Sequence, residues 1–130
     1  MAMGHSACTA WTISDEDCAK VCKKAWNNMV LALGDKNMSL DELAQHIDMD
    51  DYDIDVVPVY IMDAVHGFRK AFEKKTGLSI SLGYHNSDDE GDRYDDIDGH
   101  FWDLGGVTYM TAKAKRLGEK IKLSTWVTFG

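Results

Sequence analysis

The sequence predicts an α+β fold: three helices, then an antiparallel β-meander holding a long acidic loop, a further short helix and a C-terminal strand. Between Ser14 and Gly77 the apolar residues recur at spacings of three and four, which is the periodicity of amphipathic helices. From Leu78 onward the period switches to two, which is the periodicity of half-buried strands. A chain of 130 residues with 45% hydrophobic residues and one proline supports a packed core and fits one domain of ordinary size. The expected organisation is a single α+β domain over 1–130, with residues 1–12 a flexible or vector-derived N-terminus.

Ser14 opens the first helix as an N-cap, with Asp17 at the capping-box position and Ile13 placed to staple against Cys18. Cys18, Val21, Cys22, Ala25, Met29 and Leu33 form its apolar stripe, Lys20, Lys23, Lys24 and Asn27 point away, and Gly34 supplies a stop. A second helix starts from Ser39 and Glu42 as a capping box, with Met38 and Leu43 as its staple, and runs to about Ile47. Asp55 and Pro58 suit the first turn of a third helix that ends at Thr76 and Gly77. Val57, Ile61, Ala64, Val65, Phe68 and Phe72 share one of its faces.

Leu78, Ile80, Leu82 and Tyr84 then alternate with Ser79, Ser81, Gly83 and His85, which predicts a strand. After a loop over residues 86–99, His100 to Leu104, Gly105-Gly106 and Val107 to Met110 read as a hairpin, with Trp102 opposite Tyr109. Thr111 caps a short helix to about Ile121, and Leu123, Thr125, Val127 and Phe129 alternate in a closing strand.

The net charge of -8 is concentrated in two segments. Residues 48–55 hold five acids and no base, and residues 86–98 hold seven acids with Arg93 as the one base; outside them ten acids face thirteen bases. Such fields repel phosphates and speed encounters with basic protein surfaces, so direct nucleic-acid binding is disfavoured. No run of about 18 apolar residues is present and the N-terminal residues lack a charged head with an apolar stretch, which predicts a cytoplasmic protein without membrane contact. Three cysteines, Cys8, Cys18 and Cys22, fit reduced thiols better than a disulfide framework.

The acidic loop also has the composition of a cation site, although no frame of it fits an EF-hand. The alternative metal ligands are Asp88, Asp92, Asp96 and Asp98, with His85 and His100 at the loop's flanks, for calcium or another divalent cation. Pairing Tyr84 with Trp102 and Leu82 with Leu104 would put those two histidines on opposite faces of the sheet. His5, Cys8, Cys18 and Cys22 form an incomplete zinc set, and the two helical cysteines read as small buried hydrophobes. No nucleophile elbow, phosphate loop, metalloprotease pair or redox motif is present, so the expectation is a non-enzyme without cofactor; were there catalysis, His85, His100 and Asp103 would be the residues to test.

LDELAQHI followed by a helix, a hairpin and GGVTYMTAKAKRLGEKI loosely resembles the helix order, wing and final helix of winged-helix DNA-binding domains over residues 14–121. That resemblance implies a winged-helix-like regulator as a further alternative. Asp48, Asp50, Asp51, Asp53 and Asp55 stand where a recognition helix would present basic side chains, and the wing position is acidic too, so the similarity is one of architecture.

The function expected from sequence is a small acidic protein-binding module, of the kind formed by inhibitors and immunity proteins, that docks on a basic nucleic-acid-handling protein by nucleic-acid mimicry. Asp48, Asp50, Asp51, Asp53, Asp88, Asp89, Glu90, Asp92, Asp95, Asp96 and Asp98 would imitate phosphates, with Tyr52, Tyr94 and Trp102 as apolar anchors.

Overall fold

The computed structural model describes residues 5–48, 56–85, 97–105 and 121–129. Strands β1 (His5–Ile13), β2 (Ser81–His85), β3 (Gly99–Asp103) and β4 (Ile121–Phe129) form one antiparallel sheet in the order β2-β3-β1-β4. Helices α1 (Asp15–Val21), α2 (Lys23–Asp35), α3 (Leu40–Asp48) and α4 (Val59–Thr76) complete an α+β fold. Leu82, Trp102 and Ile13 are successive neighbours across the sheet, and all three are buried in the cluster that the helices also fill.

The N-terminal segment, for which flexibility was one expectation, forms a strand from His5, hydrogen-bonded between β3 and β4. Its insertion also replaces the expected meander, since the N-terminal strand separates β3 from the C-terminal one. At Trp102 both edges of β3 are taken, by Leu82 and by Ile13. A strand has two edges, so the expected Trp102–Tyr109 pairing has no place; Tyr109, the second hairpin strand, the helix from Thr111 and most of GGVTYMTAKAKRLGEKI lie outside the described residues.

Local signals set four of the helix ends. The Ser14 hydroxyl accepts the Asp17 N–H at 3.1 Å and donates to the Asp17 carboxylate at 3.0 Å, while Ser39 accepts the Glu42 N–H at 3.1 Å. Pro58 caps α4, and Gly77 ends it with φ 78, the left-handed conformation in which glycine carries no Cβ penalty. The first helix is not continuous to Leu33: the chain bends at Cys22 (φ -134, ψ 67) and restarts as α2, which passes Gly34 and ends at Asp35. Helical hydrogen bonding resumes at once, because Trp26 N–H reaches the Cys22 carbonyl at 2.9 Å.

The core is centred on aromatic rings from three elements. Trp26 of α2, Phe68 of α4 and Trp102 of β3 are mutual neighbours, with centroids 5.3, 5.7 and 5.1 Å apart and edge-to-face tilts. Cys18 and Cys22 are buried and free. Burial, with Asp15 nearby, pushes the Cys18 thiol far above its ordinary range, and burial raises Cys22 too, so these sulfurs act as small apolar groups. Arg69 of α4 donates from Nε to the Ile80 carbonyl at 2.6 Å, tying that helix to the entry of β2. No helix among the described residues is long and apolar enough to cross a membrane.

Candidate functional site

The strongest polar constellation among the described residues is at the start of β3, where His100 lies between two helix N-termini. Its Nε2 is 2.7 Å from Oδ2 of Asp15, and its Nδ1 is 2.5 Å from Oδ1 of Asp41. Asp15 is the first residue of α1 and Asp41 the second of α3, where a carboxylate also complements the helix dipole. Each carboxylate has a second donor. Trp102 Nε1–H donates to Oδ1 of Asp15 at 2.8 Å, and the backbone N–H of His100 donates to Oδ1 of Asp41 at 3.0 Å.

The backbone is shaped to admit this contact. Gly99 has φ +95, and a Cβ built there would lie 3.1 Å from Asp41 Oδ1, so glycine accommodates both the conformation and the approach of α3. With an acceptor at each ring nitrogen, only the imidazolium form can donate both hydrogen bonds. Asp15 and Asp41 accordingly hold His100 above its ordinary value of 6.5 against the opposing effect of burial, and the contacts from His100 hold Asp41 below 3.8.

This arrangement draws acidic residues from distant parts of the chain to one corner. The first turn of α1 contributes Asp15, Glu16 and Asp17, that of α3 contributes Asp41 and Glu42, and exposed Asp98 directly precedes β3. Asp98 closes the second acidic segment, and Asp48 at the end of α3 opens the first. From Asp41 to Asp48 the backbone rises about 10 Å at ~1.5 Å per residue. Asp41 is bonded to His100, two residues after Asp98, and that rise from Asp41 to Asp48 is comparable with a Debye length of about 8–10 Å.

Basic residues gather past the opposite end of α1. Lys23, Lys24 and Lys75 line a shallow cleft of about 410 Å³ with Val21 and Cys22. Charge therefore reverses along α1, from an acidic first turn to lysines beyond Cys22.

Several sequence-selected residues occupy different roles. Trp102 is 1% exposed and its indole N–H is engaged by Asp15, so it is a core residue and not an apolar anchor for a partner. His85 pairs with Gly99 and His100 with Tyr84, which puts the two histidines on opposite faces of the sheet and prevents them from flanking one metal ion. The register is displaced by two residues from the expected one, with Leu82 opposite Trp102. Leu104 has left β2 behind and donates its N–H to Trp11 at 2.7 Å. The parity, and hence the facing of the histidines, is unchanged. Asp103 accepts the Gly105 N–H at 2.5 Å, a turn contact at the end of β3.

Asp50, Asp51, Tyr52, Asp53, Asp55, Asp88, Asp89, Glu90, Asp92, Tyr94, Asp95 and Asp96 lie outside the described residues. Among the described residues no group of three His, Cys, Asp or Glu side chains is arranged to hold a metal ion. Both nitrogens of His100 are occupied by carboxylates, which leaves that ring without a free ligand atom. Asp15 and Asp41 were not among the residues selected from sequence, because an acid beside a serine cap is already explained by the helix it starts. No family model, curated protein or solved structure matches this chain.

Proposed function

We propose that this protein is an acidic docking module that binds a basic, nucleic-acid-handling protein and competes with the phosphates that protein normally holds. The observation that supports this reading is the convergence at His100 of two acidic helix starts with the root of the second acidic segment, while Asp48, the root of the first, lies about 10 Å along α3 from Asp41. Negative groups separated by no more than about a Debye length add their fields, which steers a basic partner and fixes its orientation. The lysines at the far end of α1 make the field directional.

The test is capture from the source cell's lysate at low and high salt, comparing wild type with a variant whose carboxylates over residues 88–98 are amides. Capture of a basic protein by wild type, its loss in the amide variant and at high salt, and its displacement by added duplex DNA are the expected results. The same capture by the amide variant, or tight binding of duplex DNA by the module itself, would overturn the reading.

A further inference from the structure

His100 has a donor problem that only one of its protonation states solves. The imidazolium carries two N–H groups and meets two carboxylates, at 2.7 Å on Nε2 and 2.5 Å on Nδ1. A neutral ring carries one N–H and turns a lone pair toward the carboxylate on its other side. The remaining acids of the two helix starts have partners of their own: Asp17 is bonded to Ser14, Glu42 to Ser39, and Glu16 to Lys20 at 3.3 Å. Tyr84 stands opposite His100 in β2, Asp98 precedes it by two residues, and His85 belongs to the other face of the sheet.

The two carboxylates are not held equally. Asp15 is also bonded to Trp102, whose ring is locked in the aromatic core, and its contact with His100 is part-buried. Asp41 also accepts the backbone N–H of His100 at 3.0 Å, but its side chain is 54% exposed and its contact with the ring is exposed, so water can replace the imidazole there at small cost.

We propose that His100 is a protonation-gated latch: charged, it clamps the first turns of α1 and α3 onto β3, and neutral, it stays with Asp15 and loosens α3, which then keeps only the backbone N–H of His100 at Asp41. The moving element is α3, whose end leads into the first acidic segment. The latch does not depend on what the acidic surface binds, and its test requires no partner.

The experiment is an NMR titration of the full chain from pH 5 to 9, following the His100 ring nitrogens together with amide hydrogen exchange corrected for its intrinsic pH dependence. Expected is a ring that titrates above 6.5 and, over the same interval, about a tenfold loss of protection at Leu43 and Ala44 of α3, the factor that corresponds to one charge-assisted hydrogen bond. Cys18 of α1 should keep its protection. Asp41→Asn should lower α3 protection and make it insensitive to pH while the ring still titrates against Asp15; His100→Gln should have the same effect on α3. Equal loss in α1 and α3 would identify general opening and overturn the latch. Unchanged α3 protection across the titration would overturn it as well, and if His100→Gln fails to fold, the Asp41→Asn protein still decides.

Discussion

The indole N–H of Trp102 donates to Oδ1 of Asp15 at 2.8 Å, joining residues 87 positions apart. The largest fully buried side chain is thereby bonded to the first residue of α1, and the same carboxylate carries His100 on its other oxygen. Core packing and the acidic corner are therefore one assembly: a displacement of Trp102 must displace Asp15.

Trp102→Phe retains a ring against Trp26 and Phe68 but removes the donor. A hydrogen bond to a charged group is worth roughly 1.5–3 kcal/mol and a small void adds to its loss, so this substitution should destabilise the fold by about 3 kcal/mol. In an Asp15→Ala background the same change should cost at least ~1 kcal/mol less, because the acceptor is already gone. Urea denaturation of the four proteins measures this coupling, and simple additivity would show that the bond contributes nothing.

The helix starts at Ser14 and Ser39 and the stop at Gly77 were legible because each is set by residues within one turn of it. The strand from His5 was not. Ala10, Thr12 and Ile13 are all buried although Ile13 lies on the opposite face from the other two, and a strand covered on both sides loses the alternation by which a half-buried strand is recognised. The same strand occupies the edge of β3 that a local hairpin would have used. His100 was recognised as chemically interesting, but its partners come from α1 and α3 and depend wholly on tertiary folding.

Gly83 tests the packing on the other face of the sheet. A Cβ there would come within 2.7 Å of Phe101 Cζ and 3.0 Å of Cε1, because the ring of its cross-strand partner lies over the glycine. Gly to Ala within a strand ordinarily stabilises by roughly 0.5–1 kcal/mol. Here the sign should reverse, with Gly83→Ala costing about 1–2 kcal/mol through overpacking. In a Phe101→Ala background the alanine should become neutral or stabilising; a thermal melt in which it destabilises both backgrounds equally would refute the ring contact.

Cys18 is fully buried, and burial raises its thiol well beyond the range in which thiolate forms at neutral pH. Alkylation of the native protein at Cys18 should therefore proceed only through unfolding, at a rate that urea accelerates in step with the unfolded fraction. Cys18→Ser should destabilise by about 1–3 kcal/mol more than Cys18→Ala, since a hydroxyl in that apolar setting has no partner whereas a methyl needs none. Equal stability of the two variants would mean that the site admits water.

The pH dependence of stability follows from the opposite shifts of His100 and Asp41. His100 is raised above 6.5, chiefly by its bond to Asp15, so the folded state binds its proton more tightly than the unfolded chain does. That contribution is fully present below 6.5 and is lost as pH rises through the higher folded value. Asp41 is lowered below 3.8 by its bonds to His100, so its contribution is present above 3.8 and is lost as pH falls through the lower folded value. The corner is thus most stabilising between about pH 4 and 6.5, where the ring is charged and Asp41 is ionised. Urea midpoints measured from pH 4 to 9 should fall on the alkaline side for wild type. In His100→Gln that alkaline limb should be flattened, and Asp41 should keep only the part of its contribution that comes from the backbone N–H of residue 100. A limb of equal depth in both proteins would assign it to another group and remove His100 as its source.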